Sequence, residues 1–158
     1  MSAVPVTQGT RFLKARGAPH TPCPYDYLDH GGTARAAQEL GVDEHAVIKT
    51  LVFEDESKTP YLVLMHGDRE VSAKGLARQI GVKTLAPCAP EAAQRHTGYQ
   101  VGGISPFGTR KALPVLVEKT ILELPEMYVN AGKRGLLVRL SPSWLEKLLP
   151  VRLVEAGR

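Results

Sequence analysis

The residues best suited to chemistry lie in one glycine-rich stretch, Thr97-Gly98-Tyr99-Gln100-Val101-Gly102-Gly103-Ile104-Ser105-Pro106-Phe107-Gly108, where four of twelve residues are glycine. The Gly102-Gly103 pair removes two side chains where a ligand can approach the backbone. It also permits the left-handed conformations that turn successive N–H groups into one concavity. Such a cup of donors holds a carbonyl, carboxylate or phosphate oxygen. Pro106 fixes its own φ and biases Ser105 towards an extended conformation, which stiffens the exit. A tight turn between two strands accounts for the same composition equally well.

Two basic sites stand beside this loop as candidates. In the run Val47-Ile48-Lys49-Thr50-Leu51-Val52-Phe53, alternation puts Lys49 on the same face as Val47, Leu51 and Phe53, with Thr50 and Val52 on the other. An ammonium on an apolar face must reach water, pair with an anion or hold a ligand. An edge-strand gatekeeper and a snorkelling stem stay open beside the ligand role. Lys133-Arg134, flanked by Gly132 and Gly135, suits an anion-binding turn, although turn statistics alone favour a solvated hairpin tip. Tyr25 and Tyr27 fall on one side of an extended segment, where they can wall a pocket or cover the core.

These residues need elements to position them. Residues 7–16 form an amphipathic helix ended by Gly17, and residues 20–27, with two prolines, an extended edge segment. A helix over 33–40 takes Thr33 as N-cap and Gly41 as stop. Strands follow over 47–53 and 60–65, hairpinned through residues 54–59, and a short strand at 70–71 precedes a helix capped by Ser72 and ended at Gly81. A brief strand over 83–85 and a helix over 90–95, acidic first and basic last, deliver the chain into the glycine loop. Beyond it come strands at 115–117 and 127–129, a hairpin turn over 130–135, and a strand over 136–140. A helix over 141–149 with Ser141 as N-cap and Pro142 at its first position, then a strand over 151–154, complete the chain. The pattern is one mixed α+β domain with several antiparallel strands, free of repeats and linkers.

Composition narrows the function classes. At 158 residues, 43% hydrophobic and 23% charged, the chain buries a core without disulfide or metal staples. No apolar run reaches membrane-spanning length and residues 1–10 lack the marks of a secretory signal, so a cytoplasmic protein that touches no membrane is expected. Cys23 and Cys88 sit far from any metal-like or redox spacing. His20, His30, His45, His66 and His96 form no HxxxH or HExxH arrangement, so neither a metal centre nor a cofactor is expected. Net charge is +4 with a pI near 9.2, and residues 128–158 hold six Lys/Arg against two Asp/Glu. That bias favours polyanionic partners and keeps nucleic acid in play.

Taken together, Lys49-Thr50-Leu51, Gln94 followed by Thr97-Gly98-Tyr99, the segment from Val101 to Gly108, Tyr128-Val129 and Gly132-Lys133-Arg134-Gly135-Leu136 resemble the YbaK/EbsC group of aminoacyl-tRNA deacylases. The likeness is to the YbaK-type Cys-tRNA(Pro) deacylases in particular. It spans about residues 19–149, and the long glycine segment with the GKRGL turn is its specific part. The resemblance implies a single α+β editing domain over 1–158 with a mixed, strongly curved, barrel-like sheet flanked by helices, homologous to the editing domain of prolyl-tRNA synthetases. It implies removal of a wrong amino acid from tRNA in trans, above all cysteine from tRNA(Pro). The partners would be the 3′-terminal adenosine and acceptor stem of the charged tRNA, and prolyl-tRNA synthetase. Carried over by position, Lys49 contacts the terminal adenosine or its phosphate, and Gly102 and Gly103 bind the aminoacyl carbonyl through their N–H groups. Tyr25, Ile104, Ser105, Pro106, Asn130, Lys133 and Arg134 line the substrate. The substrate's own thiol or ribose hydroxyl supplies reactive groups.

The chain departs from the family where Asn130-Ala131 replaces a serine and a glycine, and where Gly32 stands in place of a phenylalanine. Amino-acid preference is therefore open between cysteine and another small residue, alanine or serine. A non-catalytic RNA- or nucleotide-binding module is the reading from another class.

Overall fold

A computed structural model describes residues 4–158; the start of the segment examined for a secretory signal, residues 1–3, lies outside them. In chain order the elements are α1 (Gln8–Ala15), β1 (Thr21–Pro24), α2 (Gly32–Leu40), β2 (Val47–Asp55), β3 (Pro60–His66), α3 (Ala73–Ile80), β4 (Leu85–Pro87), α4 (Pro90–Thr97), β5 (Val115–Glu118), β6 (Met127–Lys133), β7 (Leu136–Leu140), α5 (Ser143–Leu148) and β8 (Val151–Val154). β2 organises the rest. Its β-branched and aromatic run pairs antiparallel with β3 from Ile48 to Glu54, through a turn in which Asp55 Oδ1 accepts the N–H groups of Ser57 and Thr59 at 2.8 and 3.0 Å. The sheet runs β1-β7-β6-β2-β3-β5-β8, with β4 on β2 beside β6. The β2–β6, β3–β5 and β5–β8 pairs are parallel and the others antiparallel, as a mixed sheet requires. The path is open, ending on β1 and β8.

The two faces of β2 are covered differently. Ile48 and Val52 enter the main core with Leu62, Leu64, Val129 and Phe107. On the other face, Phe53 packs with Leu76 and Ala77 of α3, and Val47 packs with Ala36 and Ala37 of α2. Lys49 falls between these two helix-covered clusters, on the face that alternation assigns it. Among the described residues no helix is long and apolar enough to cross a membrane.

Several local expectations are corrected. The strand expected over 83–85 lies at Leu85–Pro87, because Glu56 Oε1 takes the N–H groups of Lys83 and Thr84 and holds them out of the ladder. Residues 70–71 make only a bridge from Val71 to Gly157. Thr33 does not cap α2; its hydroxyl donates to Glu44 and Gly67, and Gly31 takes the N-cap position with no side-chain bond. Pro142 in αR conformation is the N-cap of α5, while Ser141 Oγ accepts from the Ser143 N–H. The helix beginning at Pro90 runs two residues past Arg95, and the hairpin tip shrinks to Arg134-Gly135 because β6 continues through a bulge to Lys133.

Candidate functional site

β2 is paired with β3 along nearly its whole length, but its other edge is shared. β6 takes Val47 and Ile48, and β4 takes Phe53 to Asp55. Among the described residues no strand covers the backbone of Lys49, Thr50 and Leu51 on that side. A cavity of about 860 Å3 opens along this gap, and Lys49 is part of its wall. The Lys49 side chain is half-buried and forms no ion pair among the described residues. A half-buried cation without a protein anion is a ready partner for an anionic ligand.

The glycine segment supplies another part of the wall through Val101, Gly102 and Ile104, and its two central glycines behave differently. The Gly103 N–H donates to the Gln100 carbonyl at 2.8 Å, and Gly102 occupies the third position of this turn at φ +91°. Gly103 is buried against the β6–β7 hairpin: a Cβ there would stand 2.8 Å from the Arg134 N and 3.0 Å from the Lys133 carbonyl carbon. Gly103 therefore lets two stretches of backbone meet, and its amide is committed to the turn. Gly102 is exposed and lines the cavity, and its N–H takes no part in the loop's own hydrogen bonds. An added Cβ at Gly102 would meet Tyr27 Oη at 2.8 Å and Arg134 Nε at 3.1 Å.

The hairpin holds this loop in place. Asn130 Nδ2 donates to the Gly102 carbonyl at 3.2 Å, while Asn130 Oδ1 accepts from the N–H groups of Gly132 (2.7 Å) and Lys133 (3.1 Å) across the β6 bulge. Arg134 Nε donates to the Val101 carbonyl at 2.9 Å, and its guanidinium lies 5.4 Å from the centre of the Tyr27 ring. Asn130 and Arg134 thus both line the cavity and brace the loop.

Of the residues singled out from sequence, Tyr25, Lys49, Gly102, Ile104, Asn130 and Arg134 meet in this one cavity. Gly103, Ser105, Pro106 and Lys133 do not line it. Ser105 is fully buried with its hydroxyl accepting the Phe107 N–H at 3.1 Å, Pro106 is buried beside it, and Lys133 is exposed at the hairpin. The sequence reading of a double-amide cup is therefore corrected to one free amide, at Gly102.

Two contributors were not assigned from sequence. The N-terminus of α2, without a side-chain cap, reaches the cavity through Gly32 and Thr33, adding the positive end of a helix to the wall that Lys49 shares. Thr50 also lines the cavity, with its buried hydroxyl unpartnered among the described residues. Its only signal in the sequence is a polar residue between Ile48 and Val52 on the inward face. Tyr25 and Tyr27 both wall the cavity, and burial raises the Tyr25 pKa, keeping its phenol a hydrogen-bond donor at neutral pH. At the margin, burial and then Glu54 push the Cys88 thiol up to about 11. Glu54 Oε2 lies 3.1 Å from Nε2 of the buried His96.

The comparisons with known proteins point the same way as this geometry. Over 150 residues, 94% of this chain and 92% of the relative, the chain is 28% identical to an Enterococcus faecalis protein named "Putative Cys-tRNA(Pro)/Cys-tRNA(Cys) deacylase EbsC". It is 27% identical over 104 residues to the proline–tRNA ligase of Limosilactobacillus fermentum, a match that covers 63% of this chain and 18% of the ligase. A solved structure described as that of "a putative trans-editing enzyme for prolyl tRNA synthetase" superposes with a TM-score of 0.85 at 25% identity, over 96% of this chain and 95% of that one. The family model for the aminoacyl-tRNA editing domain matches residues 31–148, which contain α2, the split edge of β2, the glycine loop and the bracing hairpin. With three quarters of its length under that match, and with Lys49, Gly102, Asn130 and Arg134 of the cavity wall inside it, the chain belongs to the aminoacyl-tRNA editing domain family.

Proposed function

We propose that this chain is an aminoacyl-tRNA deacylase that works in trans, and that its preferred cargo is cysteine on tRNA(Pro). The observation that carries the proposal is that one cavity is lined both by a Lys49 without an ion-pair partner among the described residues and by Gly102, whose amide its loop leaves free. A cavity of about 860 Å3 lies within the range that encloses ligands of drug size. A terminal adenosine with a small aminoacyl group belongs to that class. Lys49 and the open end of α2 attract the ribose-phosphate end of the tRNA. The Gly102 N–H donates to the ester carbonyl and strengthens its hold as that oxygen becomes negative. Asn130 and Arg134 keep the donor at a fixed angle, so little reorganisation accompanies the reaction.

The bond that breaks is the one between the acyl carbon and the ribose oxygen, which leaves carrying a proton. In hydrolysis water supplies both the new acyl oxygen and that proton. With a cysteinyl ester the substrate's own thiol is an alternative attacking group, giving a cyclic thioester and transferring the thiol proton to the ribose. Gly32 leaves space on one wall, with nothing within 4 Å of where a Cβ would stand, and bears on cargo size. Support for the cysteine preference comes from the EbsC relative, and for proline-specific tRNA also from the proline–tRNA ligases.

Release of free amino acid from Cys-, Ala- and Ser-charged tRNA(Pro), measured in single turnover, tests the reading. Fastest release from Cys-tRNA(Pro) is expected. Faster release of alanine or serine would overturn the cargo, and tight binding with no release from any member would overturn the enzymatic role.

A further inference from the structure

Glu54 on β2, Cys88 just after β4 and His96 on α4 are widely separated in sequence, yet each offers one ligand atom within 4.8 Å of the other two. The set is one carboxylate oxygen, one sulfur and one imidazole nitrogen. Hard ions such as magnesium and calcium are held by oxygen alone, whereas this mixture is the donor set of zinc and its borderline-soft neighbours. Around a tetrahedral ion with bonds of about 2.0 to 2.3 Å, ligand atoms stand roughly 3.3 to 3.8 Å apart. The 3.1 Å between Glu54 Oε2 and His96 Nε2 is already close to that spacing.

A second observation concerns the histidine alone. His96 is only 7% exposed, and its Nδ1 has no hydrogen-bond partner among the described residues. Buried polar atoms are nearly always satisfied, so with no partner on Nδ1 the fold does not commit the ring to one tautomer, and Nε2 is available as a ligand atom. With the proton on Nδ1, it is Nε2 that presents a lone pair on the side of Glu54, and a neutral imidazole in that tautomer is the form in which this histidine can ligate metal beside the carboxylate. Helix α4 carries His96, and the Cys88 N–H, which donates to the Val52 carbonyl at 2.9 Å, fixes that residue against β2, the strand that carries Glu54.

We propose that Glu54, Cys88 and His96 bind a divalent metal ion of the zinc class, with the remaining coordination position open where Cys88 borders the cavity. Binding is a proton exchange without redox change: the Cys88 S–H bond breaks, the sulfur–metal bond forms and one proton leaves to solvent. The site stands apart from the deacylase reading, since none of its three residues has a role in that mechanism.

Titration of the purified, metal-stripped protein with cobalt(II), and with zinc(II) against a chromophoric chelator, tests it. One equivalent is expected to bind, with a thiolate-to-cobalt charge-transfer absorption in the near ultraviolet and release of one proton per ion. Cys88→Ser, nearly isosteric, should abolish the absorption and weaken zinc binding by at least roughly tenfold. His96→Gln should weaken binding similarly. Cys23→Ser should leave both unchanged, because that thiol lies on β1. Absence of the charge-transfer band in the wild-type protein, its persistence in Cys88→Ser, or its loss in Cys23→Ser would each overturn the proposal. Should His96→Gln fail to fold, the Cys88→Ser and Cys23→Ser pair still decides between these outcomes.

Discussion

Between Val101, 42% exposed, and the fully buried Phe107 the chain passes from surface to core, and the two glycines at the crossing meet opposite demands. On the exposed side, Gly102 turns at positive φ, leaves its amide free and faces the cavity. On the buried side, Gly103 commits its amide to Gln100 and lies against the hairpin backbone, while Ser105 and Tyr99 secure the loop beneath. Tyr99 Oη donates to the Phe107 carbonyl at 2.6 Å. The comparison teaches that a glycine pair is not one functional unit. One member serves the ligand and the other serves the packing that aims it.

Substitutions can separate these roles. The largest effect is expected outside the loop, at the lysine that shares its cavity. Lys49→Ala should lower single-turnover deacylation by about 100-fold, the scale of a lost transition-state electrostatic contact, with a stability change below about 0.5 kcal/mol by urea unfolding. Full activity would remove the lysine from the mechanism and leave the cavity without its anchor.

Gly103→Ala should act mainly on the fold, costing about 1 to 3 kcal/mol in urea unfolding, because its Cβ meets backbone atoms that cannot swing aside. Gly102→Ala reverses the balance. It should cost about 1 to 2 kcal/mol from its positive φ, since the Tyr27 end it meets can move, but turnover should fall at least about tenfold. Equal stability losses with equal activity losses in the two variants would erase the distinction drawn here.

Burial pushes the Tyr99 phenol up to about 12 from its ordinary 10.0. A folded-state pKa above the unfolded one gives a contribution that is complete below about pH 10 and lost as pH rises towards 12. Thermal unfolding across that range should therefore show an alkaline loss that is smaller in Tyr99→Phe. The smallest effect is expected at Lys133→Ala, where an exposed side chain outside the cavity should change deacylation by less than about twofold. A large loss there would move the tRNA contact to the hairpin tip.

Much of the scaffold was legible because its signals are local. Alternation along Val47–Phe53 predicted the face Lys49 takes, and Gly41 and Gly81 stop their helices as expected. The misreadings also share a cause. Thr33 has a cap-forming side chain but found partners in Glu44 and Gly67, and Pro142, helical in its dihedrals as expected, takes the N-cap position while Ser141 Oγ still accepts the Ser143 N–H. Ser105 and Pro106 belonged to the glycine motif, yet the motif runs from the cavity into the core, and only packing shows where it crosses.

What the sequence by itself determined is therefore the periodic part: the mixed order of strands and helices, the lysine on an apolar face, and a glycine segment able to bend. Those follow from torsional preference and side-chain alternation over a few residues. Only the tertiary structure decided that β6 and β4 leave the middle of β2 uncovered, that one glycine amide is free and its neighbour is not, and that Glu54, Cys88 and His96 converge. Each depends on which distant backbone or side chain arrives first at a hydrogen-bonding group, and that contest is settled by packing across the whole chain.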